Sequence, residues 1–275
     1  SKRISEVLNT ESTITDEKSL HKVLNSGEIE FKNVIFRYSE DAKENVINNV
    51  SFKIPSGSTV GIIGATGSGK STLVQLIPRL YNINSGEILI DNINIENIDI
   101  ELLREEVGMV LQKNTLFSGT IRENLKWGNK NATDEDLDLV CNIAQATEII
   151  NKMPNGYDEY IEQGGANLSG GQKQRLTIAR ALLKKPKILI LDDSTSAVDT
   201  KTDAKIREAF ATQLKYTTKI IIAQRISSIE NSDRIIVLDN GEVVGFDTPQ
   251  NLLMNNQIYR ENYEFQKQGG GLGDE

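Results

Sequence analysis

Residues Gly64–Ser71 read GATGSGKS and satisfy the pattern G-x-x-x-x-G-K-[ST] in full. An apolar run over 60–63 precedes them and predicts a buried strand, while residues 71–77 are typical of the opening turns of a helix. In that context the backbone N–H groups of the loop and the helix N-terminus face an anion. The motif therefore predicts a phosphate-binding loop, and the alternative is a glycine-rich turn that holds no ligand.

The individual residues of this loop have different expected tasks. Lys70 is expected to reach the β- and γ-phosphates of a bound nucleotide, and the Ser71 hydroxyl is expected to ligate Mg²⁺. ATP and Mg²⁺ are therefore the expected cofactors. The residues expected to contact the nucleotide here are Gly64, Ala65, Thr66, Gly67, Ser68, Gly69, Lys70, Ser71 and Thr72.

A second candidate lies about 120 residues after the loop, where the apolar run Ile188–Leu191 ends in Asp192. In phosphate-loop enzymes an acid at this place lies beside the loop and holds Mg²⁺. Many strands end in a solvated turn acid, so the run alone would indicate little. Together with a complete phosphate loop it predicts that Asp192 is a metal ligand.

Composition excludes several other kinds of site. The chain has 275 residues, a net charge of −8, one cysteine and one histidine, His21. A single histidine rules out a histidine-based metal cluster and a Ser/His/Asp triad in the likely core. The single cysteine, Cys141, rules out an internal disulfide. The acidic balance argues against general nucleic-acid binding, and no apolar stretch approaches the ~20 residues of a membrane helix.

The order of predicted elements indicates an α/β fold with a phosphate-loop NTPase core, a mainly parallel sheet, an antiparallel β subdomain and an inserted helical subdomain. Residues 1–27 are polar and are expected to be a linker from an upstream segment. The expected domain covers 28–268, with the helical subdomain at about 113–180. Residues 269–275 are expected to be a flexible tail.

Several further segments resemble the nucleotide-binding domain of ABC transporters over about residues 28–266. The stretch LFSGTIRENL at 116–125 is similar to the exporter branch, where this region abuts the transmembrane helices. The segments that carry the resemblance are Tyr38, Gln112 after the run 107–111, LSGGQKQRLTIARALL at 168–183, LILDDSTSAVD at 189–199 and DRIIVLDNGEVVGFDT at 233–248.

The resemblance implies roles for these residues. Tyr38 would stack on adenine, although a half-buried strand aromatic is the alternative. Gln112 would contact Mg²⁺ or the attacking water. Asp199 would lie in the segment that crosses a dimer interface near both nucleotide sites. The residues that would face the γ-phosphate of ATP held on another subunit are Ser169, Gly170, Gly171 and Gln172, with a plain helix cap and turn as the alternative.

Two positions depart from the family pattern. Where the family usually has a glutamate after the strand aspartate, this chain has Asp193, which is one methylene shorter and loses roughly 1.5 Å of reach. Where the family usually has a histidine, it has Gln224, which cannot carry a positive charge. Both are expected catalytic positions, with Gln112. The pair predicts a slowly hydrolysing site in one half of a heterodimeric exporter; tolerated changes in a working ATPase are the alternative.

The resemblance thus implies an ATPase domain at the cytoplasmic face of a membrane. Its expected partners are a second nucleotide-binding domain on a different chain and the transmembrane domain of an exporter, with no nucleic acid. One alternative is a soluble nucleotide-gated clamp without a transport role, whose binding of ATP matters and whose hydrolysis does not. Another is a soluble ABC protein of DNA repair or translation, but the long coiled coil or tandem domains usual there are not visible in this sequence.

Overall fold

The computed structural model describes two main β-sheets with helices packed around them. A six-stranded sheet has the strand order β12-β11-β3-β10-β9-β6, and a four-stranded antiparallel sheet has the order β2-β1-β4-β5. In the larger sheet every neighbouring pair is parallel except β11 and β12. The predicted α/β class with a mainly parallel sheet and an antiparallel β subdomain is confirmed. The described residues are 4–5, 8–9, 12–16, 20–21, 23–113, 115–193 and 197–269.

The strands form where the sequence has short apolar or alternating runs bounded by polar residues. The strands are β1 (Ile29–Phe36), β2 (Ile47–Ile54), β3 (Thr59–Ile63), β4 (Ser85–Ile90), β5 (Ile93–Asn94), β6 (Val107–Val110), β7 (Gly119–Thr120), β8 (Tyr160–Ile161), β9 (Ile188–Asp192), β10 (Thr218–Ile222), β11 (Arg234–Asp239) and β12 (Glu242–Asp247). The helices are α1 (Lys70–Gln75), α2 (Ile100–Glu106), α3 (Ile121–Lys126), α4 (Asp134–Ile143), α5 (Thr147–Lys152), α6 (Gly170–Leu183), α7 (Thr200–Gln213), α8 (Pro249–Asn255) and α9 (Gln257–Gly269).

The parallel sheet is covered on both faces, which explains why its strands are almost continuously apolar. Successive residues of a strand point to opposite faces. Accordingly Ile188 and Ile190 pack in one hydrophobic cluster, with the antiparallel sheet and α1, while Leu189 and Leu191 pack in a second cluster, with α4, α6 and α7. The sheet therefore separates the β subdomain and α1 from helices α4, α6 and α7.

The block between β6 and β9 holds helices α3 to α6 and the two-stranded pairing of β7 with β8. Three of these helices begin with a reciprocal capping box, at Thr120 for α3, Thr133 for α4 and Ser169 for α6. A cap of this type satisfies N–H groups that the first helical turn leaves free. The predicted helical character of this block is confirmed, although its extent as a subdomain remains a prediction.

The segment before β1 lies against the antiparallel subdomain where the structure describes it. The Asp91 carboxylate accepts hydrogen bonds from the backbone N–H groups of four successive residues, Asn25 to Glu28, at 2.7–3.0 Å. The Ser26 hydroxyl donates to the same carboxylate at 2.6 Å. Residues 25–28 therefore form a turn whose donors are occupied by one side chain. Most of the predicted tail, 270–275, lies outside the described residues, while Gly269 ends α9.

Candidate functional site

Four neighbouring strands of the parallel sheet end at one edge, in the order β3, β10, β9, β6. Gly64 follows β3, Asp192 ends β9, and Gln224 and Gln112 follow β10 and β6 closely. Adjacent strands lie about 4.8 Å apart, so groups that are distant in the sequence become neighbours here. The carboxyl ends of parallel strands are where α/β sheets form ligand sites. This edge is the candidate site.

The loop between β3 and α1 has the geometry of a phosphate-binding turn. The Lys70 ammonium donates to the carbonyl oxygens of Gly64 and Ala65 at 2.8 and 2.7 Å. Gly69 has φ 98°, a left-handed conformation that favours glycine, and no side chain caps α1. Within the described residues, the buried Ser68 hydroxyl has no hydrogen-bond partner. The loop carbonyls thus bind the lysine of the same loop, and the N-terminus of α1 carries no side-chain cap.

Burial lowers the pKa of the Lys70 ammonium, and the nearby carboxylates of Asp192 and Asp193 oppose that shift. The lysine therefore contacts the loop carbonyls and lies near two acids, Asp192 at the end of β9 and Asp193 just after it. A partly desolvated cation in this position is suited to a polyanionic ligand, because the negative charge of the ligand would stabilise the charged form of the lysine.

Tyr38 lies beside this loop, just after β1. Its hydroxyl and the Thr72 hydroxyl on α1 are 2.8 Å apart. Its ring makes edge contacts with Phe36 and Tyr81, at centroid distances of 5.0 and 5.2 Å. Tyr38 remains 55% exposed, so part of this anchored side chain is open to solvent next to the phosphate loop. That arrangement is suited to stacking with a planar base.

Two amide side chains converge on Asp193. Gln224 donates to its Oδ2 atom at 2.7 Å, and Gln112 donates to the same atom at 3.3 Å. Burial and the charge of Asp192 raise the pKa of Asp193, while hydrogen bonds from Gln224 and Gln112 oppose the shift. The residue has φ 45°, which is tolerated by aspartate better than by most side chains. The three expected catalytic residues thus form one hydrogen-bonded group.

The donor set near the loop fits a magnesium–nucleotide complex. Asp192 is buried at the end of β9, and Ser71 is exposed on α1 beside Lys70. Over the described part of the chain, no group of three or more His, Cys, Asp or Glu residues could hold a metal ion. Mg²⁺ typically takes one or two carboxylates and completes its octahedron with phosphate oxygens and water. A few oxygen ligands beside a phosphate loop match that habit.

The LSGGQ residues form the N-terminus of α6. The Ser169 hydroxyl accepts from the Gln172 N–H at 3.3 Å, and the Gln172 side chain accepts from the Ser169 N–H at 2.8 Å. A Cβ atom on Gly171 would lie 2.9 Å from the carbonyl oxygen of Ala197, so this close approach requires glycine. Ser169 and Gly170 are exposed. The loop is therefore capped on itself and packed on the segment after β9.

Asp199 follows that segment and caps α7, since its carboxylate accepts from the Thr202 N–H at 2.9 Å. This hydrogen bond holds the pKa of Asp199 below its ordinary value. Sequence reasoning did not identify Gln174, whose buried side chain accepts from the Ala197 N–H at 3.0 Å and links α6 to the same segment. A glutamine on the buried stripe of an amphipathic helix was the available signal. Residues 194–196 of the motif at 189–199 lie outside the described residues.

The exporter-like stretch 116–125 has an exposed aromatic pair beside it. The rings of Phe117 and Trp127 stack at 4.8 Å, and Trp127 is 67% exposed. Behind them Arg180 donates to the Thr115 carbonyl at 3.0 Å. No helix in the described ranges is long and apolar enough to cross a membrane. Large exposed aromatic patches often mark a contact with another protein.

The family comparison agrees with this geometry. A family model described as "ABC transporter" matches residues 47–196, which include the phosphate loop, LSGGQ and Asp192. The chain belongs to the ABC transporter family. Membership implies that this ABC domain is an ATP-binding domain. The predicted resemblance is therefore confirmed, while the roles of single residues remain predictions.

Similar proteins include exporters. The ABC domain is 49% identical over 264 residues to YfiB of Bacillus subtilis (strain 168), an uncharacterized ABC transporter ATP-binding protein, covering 96% of this chain and 45% of that protein. It is 43% identical to an ATP-dependent lipid A-core flippase of Haemophilus influenzae, covering 88% and 41%. A bacterial Atm1-family ABC exporter solved with ATP bound has TM-score 0.92 and 34% identity, covering 96% and 47%. The chain thus spans less than half the length of these relatives.

Proposed function

We propose that this chain is the ATP-binding domain of an ABC exporter, located at the cytoplasmic face of a membrane. The observation that carries the proposal is the alignment of the phosphate loop, Asp192, Gln224 and Gln112 at four adjacent strand ends. Lys70 would hold the β- and γ-phosphates of ATP, and Tyr38 would stack on the base. Ser71, Asp192 and Gln112 would ligate Mg²⁺, which when bound neutralises developing phosphate charge.

The second half of the proposal is pairing with another nucleotide-binding domain. Ser169 and Gly170 are exposed at the N-terminus of α6, where backbone N–H groups and the helix dipole favour an anion. Asp199 is exposed beside them on the segment that Gly171 contacts. These features support a surface that completes the nucleotide site of a facing domain, which we expect to be a different chain.

The transmembrane partner would contact the aromatic pair Phe117 and Trp127. Both rings are exposed although they are large and apolar, and they border a groove lined by Arg180 and the end of α2. A segment of a transmembrane domain lying in this groove would cover them. Similarity to a lipid A-core flippase and to an Atm1-family exporter supports a partner of this type.

Slow hydrolysis in the chain's own site is the finer part of the proposal. Asp193 has a short side chain, and its Oδ2 atom already accepts from both Gln112 and Gln224. A carboxylate one methylene shorter than that of glutamate is poorly placed to accept a proton from water, and Gln224 can donate a hydrogen bond to the γ-phosphate but brings no positive charge to it. A well-placed general base contributes about 10²- to 10⁴-fold. We therefore expect turnover well below the roughly 1 s⁻¹ at the low end of typical enzymes.

The test is to restore the family pair with Asp193→Glu and Gln224→His. We expect kcat to rise about 10- to 10³-fold in the double variant, more than in either single variant, because both groups act on one transition state. Affinity for ATP should hardly change, since Lys70, Ser71 and Asp192 are untouched. If the double variant stays as slow as the parent while still pairing with ATP, these two residues do not limit the reaction. Fast turnover by the parent would also contradict the proposal.

A further inference from the structure

The turn that carries Gln224 is held by a side chain from the last helix. Gln266 on α9 donates from Nε2 to the Gln224 carbonyl at 2.8 Å, and its Oε1 atom accepts from the Ile226 N–H at 2.7 Å. One amide group therefore makes two hydrogen bonds to the main chain of a single turn. A pair of bonds in opposite directions fixes both the distance and the orientation of that turn.

The helix that presents Gln266 is itself well anchored. Tyr259, the third residue of α9, is fully buried in the hydrophobic cluster on the face of the sheet that packs against α4, α6 and α7, and Tyr263 packs against that cluster. Lys267 forms an ion pair with Glu230 at 3.3 Å, at the far end of the same turn. Gln266 thus reaches the turn from a fixed helix.

A second helix holds the turn from another direction. The Ser228 hydroxyl donates to Oδ2 of Asp203 at 3.0 Å, and Asp203 is buried in α7. Gln224 itself is exposed, and the first buried side chain after it is that of Ile226. The orientation of Gln224 is therefore governed by hydrogen bonds to the turn more than by packing of its own side chain.

We infer that Gln266 is a positioning residue that acts through Gln224. Its two hydrogen bonds place the main chain of residues 224–226, so that the Gln224 side chain lies 2.7 Å from Asp193. The kinetic part of this inference rests on the proposed function, because it requires that Gln224 contribute to hydrolysis. The structural part does not, since the turn is held whether or not the chain hydrolyses ATP.

Hydrogen exchange in the 275-residue chain tests the structural part. Gln266→Leu removes both hydrogen bonds, whereas Gln266→Glu keeps an acceptor for the Ile226 N–H and loses the donor to Gln224. Gln257→Leu is the matched control, because Gln257 lies on the same helix and bonds only to Glu261 among the partners described. We expect amide exchange in peptides spanning 224–229 to quicken about fivefold or more in Gln266→Leu, less in Gln266→Glu, and not in Gln257→Leu. Unchanged exchange in Gln266→Leu would overturn the inference.

A kinetic cycle tests whether Gln266 acts through Gln224. We expect Gln266→Leu to lower kcat about fivefold with KM for ATP unchanged, and to have no further effect when Gln224→Ala is already present. An equal loss of kcat with and without Gln224 would show a general structural role and overturn the inference. If the parent hydrolyses no ATP, the kinetic part of the inference fails, and the exchange result alone decides whether Gln266 holds the turn.

Discussion

The phosphate loop (64–71) and the LSGGQ loop (168–172) both lead into a helix, yet they differ in what occupies their donors. At the phosphate loop no side chain caps α1, and Lys70 lies over the loop's own carbonyl groups. At the LSGGQ loop Ser169 and Gln172 form a reciprocal cap, and Gly171 packs against Ala197. The helix N-terminus after the phosphate loop carries no side-chain cap, whereas the helix N-terminus at the LSGGQ loop is capped by the loop's own side chains.

Under the proposed function, this difference gives the two loops unequal affinity for phosphate. An uncapped helix N-terminus next to a lysine binds phosphate strongly. A capped one has satisfied part of its donors, so it gains less from a free anion. We therefore expect the phosphate loop to bind ATP alone, and the LSGGQ loop to contact ATP only when a second domain presents it.

The largest expected effect comes from Lys70→Ala. ATP should stabilise the parent by about 2.7 kcal/mol at 100 times its Kd, because ligand binds the folded state only. We expect Lys70→Ala to abolish the ATP-induced rise in melting temperature, measured by thermal unfolding. Lys152→Ala is the control, since that lysine pairs with Glu148 on the exposed face of α5. An unchanged ATP shift in Lys70→Ala would remove the phosphate loop from the mechanism.

The second expected effect concerns Ser169. In the Asp193→Glu, Gln224→His variant, Ser169→Ala should cancel most of the gain in kcat, because removing a donor at a transition state typically costs 10²-fold or more. Thr133→Ala provides a matched control, since Thr133 forms the same type of cap on α4. Loss of either cap should lower the free energy of unfolding by about 1 kcal/mol. An equal loss of activity in the two variants would show that Ser169 serves only as a cap.

A smaller effect is expected at Tyr38. Tyr38→Ala should weaken ATP binding by about 1 to 3 kcal/mol, the value of one base–aromatic stack. Tyr38→Phe keeps the ring and loses only the contact between the Tyr38 and Thr72 hydroxyls. We expect Tyr38→Phe to bind ATP nearly as well as the parent in isothermal titration calorimetry. Equal weakening in both variants would indicate that the hydroxyl contact, and not stacking, matters.

The smallest effect concerns the turn at 25–28, whose N–H donors are filled by the Asp91 carboxylate. Burial acts to raise the pKa of Asp91, but hydrogen bonds from Ser26, Glu28 and Asn25 outweigh it and leave the pKa below its ordinary value. Asp91→Asn removes the charge at nearly constant shape. We expect it to lower the free energy of unfolding by about 1 to 2 kcal/mol at pH 7.

The pH dependence of that difference follows from the direction of the pKa shift. A carboxylate with a depressed pKa contributes stability in full above the unfolded value, about 3.9, and loses it as pH falls through the lower folded value. The difference in the free energy of unfolding between the parent and Asp91→Asn, measured by urea unfolding, should therefore stay constant from pH 7 to 5 and become smaller below pH 4. A gap that widens on acidification would contradict the assignment.

Much of the fold could be predicted because its signals are local. The apolar runs at 60–63 and 188–191 match β3 and β9, and the helix signal at 71–77 matches α1, each within a residue or two. Helix α7 was not predicted. Its buried residues Asp203, Ile206, Ala209 and Phe210 follow helical spacing, but a polar sequence and a buried aspartate weaken the apolar stripe. The helical spacing of buried positions is present in the sequence, but an aspartate at one of these positions makes the apolar pattern hard to recognise.

The site was predicted by motif and not by contact. The sequence indicated Asp193, Gln112 and Gln224 as separate departures or matches, but not that both glutamines donate to one carboxylate oxygen. Gln266 carried no signal, because a glutamine in a polar C-terminal helix resembles a solvated residue. Such contacts join positions 31 to 81 residues apart. Which of these contacts form depends on the order of the strands in the sheet, and no single segment of the sequence determines that order.

The alignment of the site across β3, β10, β9 and β6 also has a consequence for synthesis of the chain. The ribosome releases Gly64 long before Gln224, and β10 lies between β3 and β9 in the sheet. The phosphate loop can therefore leave the ribosome complete while its neighbouring strand has not yet been made. Non-local strand pairing forms late and slowly. A nascent chain should acquire ATP-dependent protection from proteolysis only after β10 has emerged from the ribosome. The turn at Gln224 should become protected later, only after Gln266 has also emerged.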